Sequence, residues 1–187
     1  MAIALRRYRF TVDEYERLAQ ANVLTQCDRV ELLDGEIVEM TPIGDRHASV
    51  VARLTSLFSK HLGDRAIVWP QNPIRLPVVR SMPQPDVVLL RRRVDFYASG
   101  KPGPDDVPLL VEVMDTSAET DRRVKLPLYA RAGIAETWLV ELATDRVETF
   151  RRPTTTGYGE AATLERGQRL APQAFPDLVL LVDDLLG

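Results

Sequence analysis

Hydrophobic residues recur along this chain with two different periods, and each change of period marks an element. Thr11-Val12-Asp13-Glu14 carries the capping-box pattern, in which the threonine hydroxyl and the glutamate carboxylate satisfy the first free amides of a helix; a helix is predicted from there toward Gln20. Between Arg29 and Met40, Val30, Leu32, Leu33, Ile37 and Val38 flank Asp34-Gly35. Asp-Gly between apolar runs is a hairpin signal, because both residues tolerate the positive φ of a tight turn. After a turn at Pro42-Ile43-Gly44, the residues Val50, Val51, Leu54, Leu57, Phe58 and Leu62 repeat at helical spacing, which predicts a long amphipathic helix ending near Gly63.

The middle of the chain switches to short apolar runs bounded by proline or glycine: Ala66 to Trp69, Ile74 to Leu76, Asp86 to Leu90 and Leu109 to Met114, all predicted as strands. Val87-Val88-Leu89-Leu90 and Leu109-Leu110-Val111 do not alternate with polar residues, as expected for central strands covered on both faces. A loop from Tyr97 to Pro108 joins them. A helix follows and stops at Gly133, a suitable left-handed cap. Pro127 cannot sit in a helix interior without loss of a hydrogen bond, so this helix is expected to begin around Arg123 or later. Thr137 to Glu141 and Val147 to Phe150 form a strand pair, Pro153 to Gly159 reads as a flexible turn, and the apolar tail from Leu178 to Leu186 should dock on the body.

Composition narrows the class. With 187 residues and 45% hydrophobic content, the chain fills one core, so a single α/β domain over residues 1–187 is the expectation. The 27% charged fraction, without a long apolar run or an apolar leader, predicts a cytoplasmic protein with no membrane partner. One cysteine, Cys27, permits neither an internal disulfide nor a thiolate cluster. The net charge of −3 disfavours wholesale coating of nucleic acid, which uses strongly basic faces. Two basic runs, Arg91-Arg92-Arg93 and Arg122-Arg123 with Lys125, read either as the flanks of a phosphate-binding groove or as solvated strand ends and helix faces.

Asp86 and Glu112 abut runs that should be buried. An ionised carboxylate there costs several kcal/mol, on the order of what desolvation demands, unless it is paired, hydrogen-bonded or bound to a cation. Two such acids on neighbouring strands make an oxygen-rich pocket suited to Mg²⁺, which takes one or two carboxylates, keeps several waters and leaves room for phosphate oxygens. The main-chain carbonyl of Val113 could complete the set.

Pro85-Asp86, Glu112-Val113-Met114 and Lys125 resemble the PD-(D/E)XK nuclease superfamily. The surrounding text is similar to its Uma2-type branch (DUF820): Val30 to Val38 with Met40, Pro83 to Val87, Leu110 to Val113, then Asp121, Lys125, Tyr129-Ala130, Gly133-Ile134 and Trp138 to Val140. The resemblance covers nearly the whole chain. It implies a restriction-endonuclease-like mixed β-sheet core flanked by α-helices and metal-dependent cleavage of DNA, with Mg²⁺ or Mn²⁺ as cofactor and a homodimer as the possible assembly. Carried over by position, Glu31 is the early acid, Asp86 the principal metal ligand, Glu112 the second ligand and Lys125 the group that neutralises the attacked phosphate or orients water.

Two positions depart from the pattern. The lysine expected two residues after the glutamate is Met114 here, so Lys125 must have migrated; it lies four residues after Asp121 and can pair with it on one helical face. Asp115-Thr116 stands where the branch usually carries serine and proline. Plainer readings accompany each residue: Glu31 neutralises Arg29, Lys125 is a solvated helix lysine, Asp121 is a helix N-cap, and Tyr129 and Trp138 are core. His47 either supports the start of the long helix or contacts phosphate, and His61 reads as surface. The sequence therefore frames a Mg²⁺-dependent endonuclease, a catalytically inactive nucleic-acid-binding or protein-interaction module on the same fold, and, more remotely, a hydrolase of small phosphodiesters.

Overall fold

The computed structural model of the chain describes residues 7–25, 27–115 and 118–187. The elements run α1 (Val12–Gln20), β1 (Val30–Leu33), β2 (Glu36–Glu39), α2 (Asp45–Leu62), β3 (Ala66–Pro70), β4 (Val87–Arg91) and β5 (Leu109–Met114). Then come α3 (Ala118–Thr120), a π-turn over Asp121–Lys125, α4 (Leu126–Ala132), β6 (Glu136–Glu141), β7 (Arg146–Thr154), β8 (Gly157–Glu165), β9 (Arg169–Leu170), β10 (Leu180–Leu181) and α5 (Val182–Leu186). Six strands form one mixed sheet in the order β3-β4-β5-β6-β7-β8. All neighbours are antiparallel except β5 and β6, which run parallel. Parallel neighbours need a crossover, and the helical stretch from Ala118 to Ala132 provides it.

The unalternating runs of β4 and β5 are buried on both faces. Val87, Leu89, Leu109, Val111 and Val113 face α2 and the C-terminal tail, packing with Leu54, Phe58, Trp138 and Leu185. Val88, Leu90 and Leu110 face the other way, against Leu128, Tyr129 and Ile134. A third cluster, Val12, Tyr15, Leu32 and Met82, holds α1 on the hairpin. The hairpin turn is built as its sequence requires: Asp34 and Gly35 take φ of 48° and 79°, and Leu33 pairs with Glu36 across it. The capping box of α1 is also present, with Thr11 and Glu14 bonded reciprocally.

Four local expectations fail. Ile74 to Leu76 is not a strand: both ends are buried, but only an isolated bridge joins Leu76 to Ser81, because Pro77 opens a 3₁₀ turn that Arg80 closes at φ 46°. Pro153 to Gly159 is not a flexible turn but the tip of a hairpin, with Pro153 paired to Tyr158 and Thr154 to Gly157. Strand β8 escaped notice because it is a largely exposed edge strand with no apolar alternation. The helix after β5 starts at Ala118, not near Arg123, and Pro127 is accommodated because Leu126 N–H donates to Asp121 C=O, a π-type bond that resets the ladder just before the proline. Asp121 is consequently not an N-cap but an interior, buried residue of the crossover.

Candidate active site

Asp86 immediately precedes β4, and Glu112 is the fourth residue of β5. The antiparallel register Val87 to Val111 makes these two acids the next neighbours along the pair. Glu112 follows Leu110 by two residues, so it points to the same face as Leu110 and Tyr129. Its Oε2 accepts the Asp86 amide at 3.3 Å and its Oε1 accepts the Tyr129 hydroxyl at 2.5 Å. Asp86 Oδ2 accepts the Val113 amide at 2.8 Å and meets His47 Nε2 at 3.0 Å. A strand residue sends its N–H and C=O to the same edge, so the Val113 carbonyl shares the Asp86 side.

The π-turn delivers the cation. Lys125 Nζ lies 3.1 Å from Glu31 Oε1 and 3.5 Å from both Glu112 Oε1 and Asp121 Oδ1. Glu31, on β1, is held by the Gln84 amide at 3.1 Å. The structure thus brings Glu31, Asp86, Glu112 and Lys125 into one cluster and adds His47, for which the sequence left a helix-start and a phosphate-contact reading open, and Asp121, read as a partner of Lys125 or as an N-cap. Glu31 does not neutralise Arg29, and Lys125 is not solvated: Glu112 and Asp121 are each 2% exposed, Glu31 4% and Lys125 7%. Tyr129 is core, as is Trp138, yet its hydroxyl reaches the site. The cue for Asp121 was its spacing to Lys125; for His47 the sequence offered only a place at a helix start.

Burial pushes the Glu112 carboxyl well above the ordinary range, with Lys125 pulling it partly back and Asp121 and Asp86 adding to the rise. For Lys125, burial opposes the charge, but Glu112, Glu31 and Asp121 outweigh it and raise the ammonium's pKa. The hydrogen bond to Asp86 raises His47 against the effect of its burial. Glu136 provides the contrast. It is fully buried, but Arg151, Trp138 and the Gln173 amide all donate to its oxygens, which is how a structural carboxylate is satisfied.

A cleft of about 1140 Å³ opens over this cluster, with walls from α1, the β1–β2 hairpin and residues 39–44. Glu31, Asp86, Glu112, Asp115 and Asp121 line it together with His47 and Lys125. Thr116 lies outside the described residues. Lys125 apart, the basic runs do not flank the cleft as free phosphate clamps. Arg91 to Arg93 sit at the far end of β4, where Arg91 binds the Asp105 carbonyl, Arg92 pairs with Asp64 and Arg93 with Asp95. Arg122 is engaged by Glu148 and Arg123 by Glu119.

Among the described residues, no three His, Cys, Asp or Glu side chains are already gathered at metal-binding geometry. The donor chemistry nonetheless fits a hard divalent cation. Two adjoining carboxylates and a main-chain carbonyl are oxygen donors of the kind Mg²⁺ combines with water, and acids outnumber cations along the cleft. No helix of the described residues is long and apolar enough to cross a membrane.

A six-stranded mixed sheet flanked by helices, with acids collected at the ends of its central strands, defines a restriction-endonuclease-like α/β fold. The chain belongs to the Uma2 family, described as "Putative restriction endonuclease", whose model matches residues 12–183. In fold it is similar to a crystal structure from Anabaena variabilis ATCC 29413, titled a "putative nuclease belonging to DUF820": the TM-score is 0.73 at 15% identity, over 95% of this chain and 97% of that one. No curated protein matches the chain.

Proposed function

We propose that this protein is a divalent-metal-dependent endonuclease that hydrolyses DNA phosphodiester bonds in the cleft above Asp86 and Glu112. The observation that carries the reading is the adjacency of these two acids, 26 residues apart in sequence and joined by the Asp86 amide to Glu112 Oε2. Asp86, Glu112 and the Val113 carbonyl would hold Mg²⁺ or Mn²⁺. Bound there, the ion would lower the pKa of a water and screen the phosphate charge. Tyr129 and the Asp86 amide fix the Glu112 carboxylate from two sides. Lys125 offsets charge on the phosphoryl oxygens, and Glu31 and Asp121 hold its ammonium at the cleft floor.

The family description supports nuclease chemistry; DNA as substrate, the metal and cytoplasmic action belong to this proposal. A homodimer would present two sites to the two strands of a duplex. Core clusters shared between the sheet, its helices and the tail support reading residues 1–187 as one nuclease-like domain. The rival reading, an inactive module that keeps the fold, draws on the lack of a pre-assembled three-ligand set among the described residues. Glu112→Ala should abolish Mg²⁺-stimulated cleavage of plasmid DNA by the purified protein. Cleavage at the wild-type rate by that variant would refute the proposal, and a wild-type protein inert with both Mg²⁺ and Mn²⁺ would favour the module.

A further inference from the structure

Asp86 and His47 come from elements far apart in sequence, and their contact is asymmetric in an informative way. His47 is the third residue of α2, a helix whose N-cap, Gly44, supplies no side-chain cap. The imidazole is buried, with 9% of the residue exposed. Nε2 meets Asp86 Oδ2 at 3.0 Å, whereas Nδ1 is buried with no hydrogen-bond partner among the described residues. An ionised carboxylate only accepts, so Nε2 carries the proton in this contact. A buried nitrogen left unpaired costs about 1–3 kcal/mol. A phenylalanine would fill the same space without that cost. What the histidine adds is the bond to Asp86.

That bond lands on an oxygen already in use. Oδ2 also accepts the Val113 amide at 2.8 Å, so two donors, one from the α2 side chain and one from the β5 backbone, converge on a single carboxylate oxygen. The terminal torsion of an aspartate is otherwise broad. Two donors on one oxygen fix it and leave the other oxygen, Oδ1, for a ligand. We propose that His47 is a positioning residue, clamping Oδ2 of Asp86 so that this carboxylate offers Oδ1 to a divalent cation in the cleft. The inference rests on the metal-site reading of Asp86 and adds to it a supporting residue which that reading did not contain.

The test uses the full-length protein and Mn²⁺ as probe, with affinity from calorimetry and unfolding temperature measured without metal. His47→Phe keeps the ring volume and removes the donor; His47→Gln keeps an N–H at about the position of Nε2. Loss of an outer partner of a metal ligand weakens affinity about 10–100-fold. His47→Phe should therefore bind Mn²⁺ about 10–100-fold more weakly while still unfolding cooperatively, and its crystal structure should show Asp86 rotated. His47→Gln should recover affinity to within about threefold of wild type. If His47→Phe does not fold, His47→Met makes the same comparison. Wild-type affinity in the variant lacking the donor, or no recovery in His47→Gln, overturns the clamp alone. A wild-type protein that binds no Mn²⁺ overturns the metal-site reading, and the clamp with it.

Discussion

Lys125→Met removes the ammonium that three buried carboxylates share, and its effect can be worked out from the geometry. Methionine fills the stem of the lysine, so the perturbation is electrostatic. Glu31, Glu112 and Asp121 lose a cation 3.1–3.5 Å away. Removing one partner of a buried ion pair costs about 3–5 kcal/mol, and protonation of Glu112, already favoured by burial, relieves part of this. A net loss of about 3 kcal/mol is expected at neutral pH, or about 6–12 °C in unfolding temperature for a chain of this size. The sign of the pH dependence follows from Glu112. Its folded pKa is raised, so the folded state binds a proton more tightly than the unfolded one, and stability grows as pH falls from the raised value toward the ordinary carboxylate range. Without Lys125 that rise is larger, so the gap between variant and wild type should narrow on acidification. Scanning calorimetry at several pH values measures both effects. A loss under about 1 kcal/mol, the size of a surface pair, or a gap that does not change with pH, would refute the buried-cluster account.

Three further outcomes follow from the same structure. Tyr129→Phe removes a donor to a buried carboxylate, a bond to a charged group worth about 1.5–3 kcal/mol; denaturant titration should show that loss, and an unchanged midpoint would mean the hydroxyl does not support Glu112. Gly35→Ala places a methyl 2.8 Å from Arg9 Cβ at φ +79°, where left-handed backbone alone costs about 1–2 kcal/mol; a variant as stable as wild type would contradict the tight-turn geometry. The Glu14 carboxyl is held down to about 2 by the Thr11 amide, with help from the Tyr8 and Thr11 hydroxyls, so the α1 cap should persist below pH 4.5 and be lost as pH falls through about 2. Proton NMR of the Thr11 amide would follow this, and a midpoint near 4.5 would contradict it.

The parts of the fold set by local chemistry were legible in the sequence: the Thr11–Glu14 cap, the Asp34-Gly35 turn and the doubly buried β4 and β5. Strand β8 was not, because an edge strand with exposed small and polar residues has no hydrophobic period to read. The helix start at Ala118 was missed because proline was weighed against an α-helix alone, and a π-turn ahead of Pro127 changes which carbonyl loses its donor. Asp86 and Glu112 stood out as carboxylates abutting buried runs, Glu31 and Lys125 were selected by resemblance, and the structure gathers all four. His47 could not be selected that way, because it meets Asp86 across 39 residues of sequence; Asp121 stood in the resembling stretch, but its burial depends on how the crossover packs.

Asp86 and Glu112 are proposed to grip one divalent ion. Anomalous diffraction from crystals soaked in Mn²⁺ tests it directly: a peak between their carboxylates, within reach of the Val113 carbonyl, is the predicted result. Manganese bound elsewhere with that position empty would contradict it.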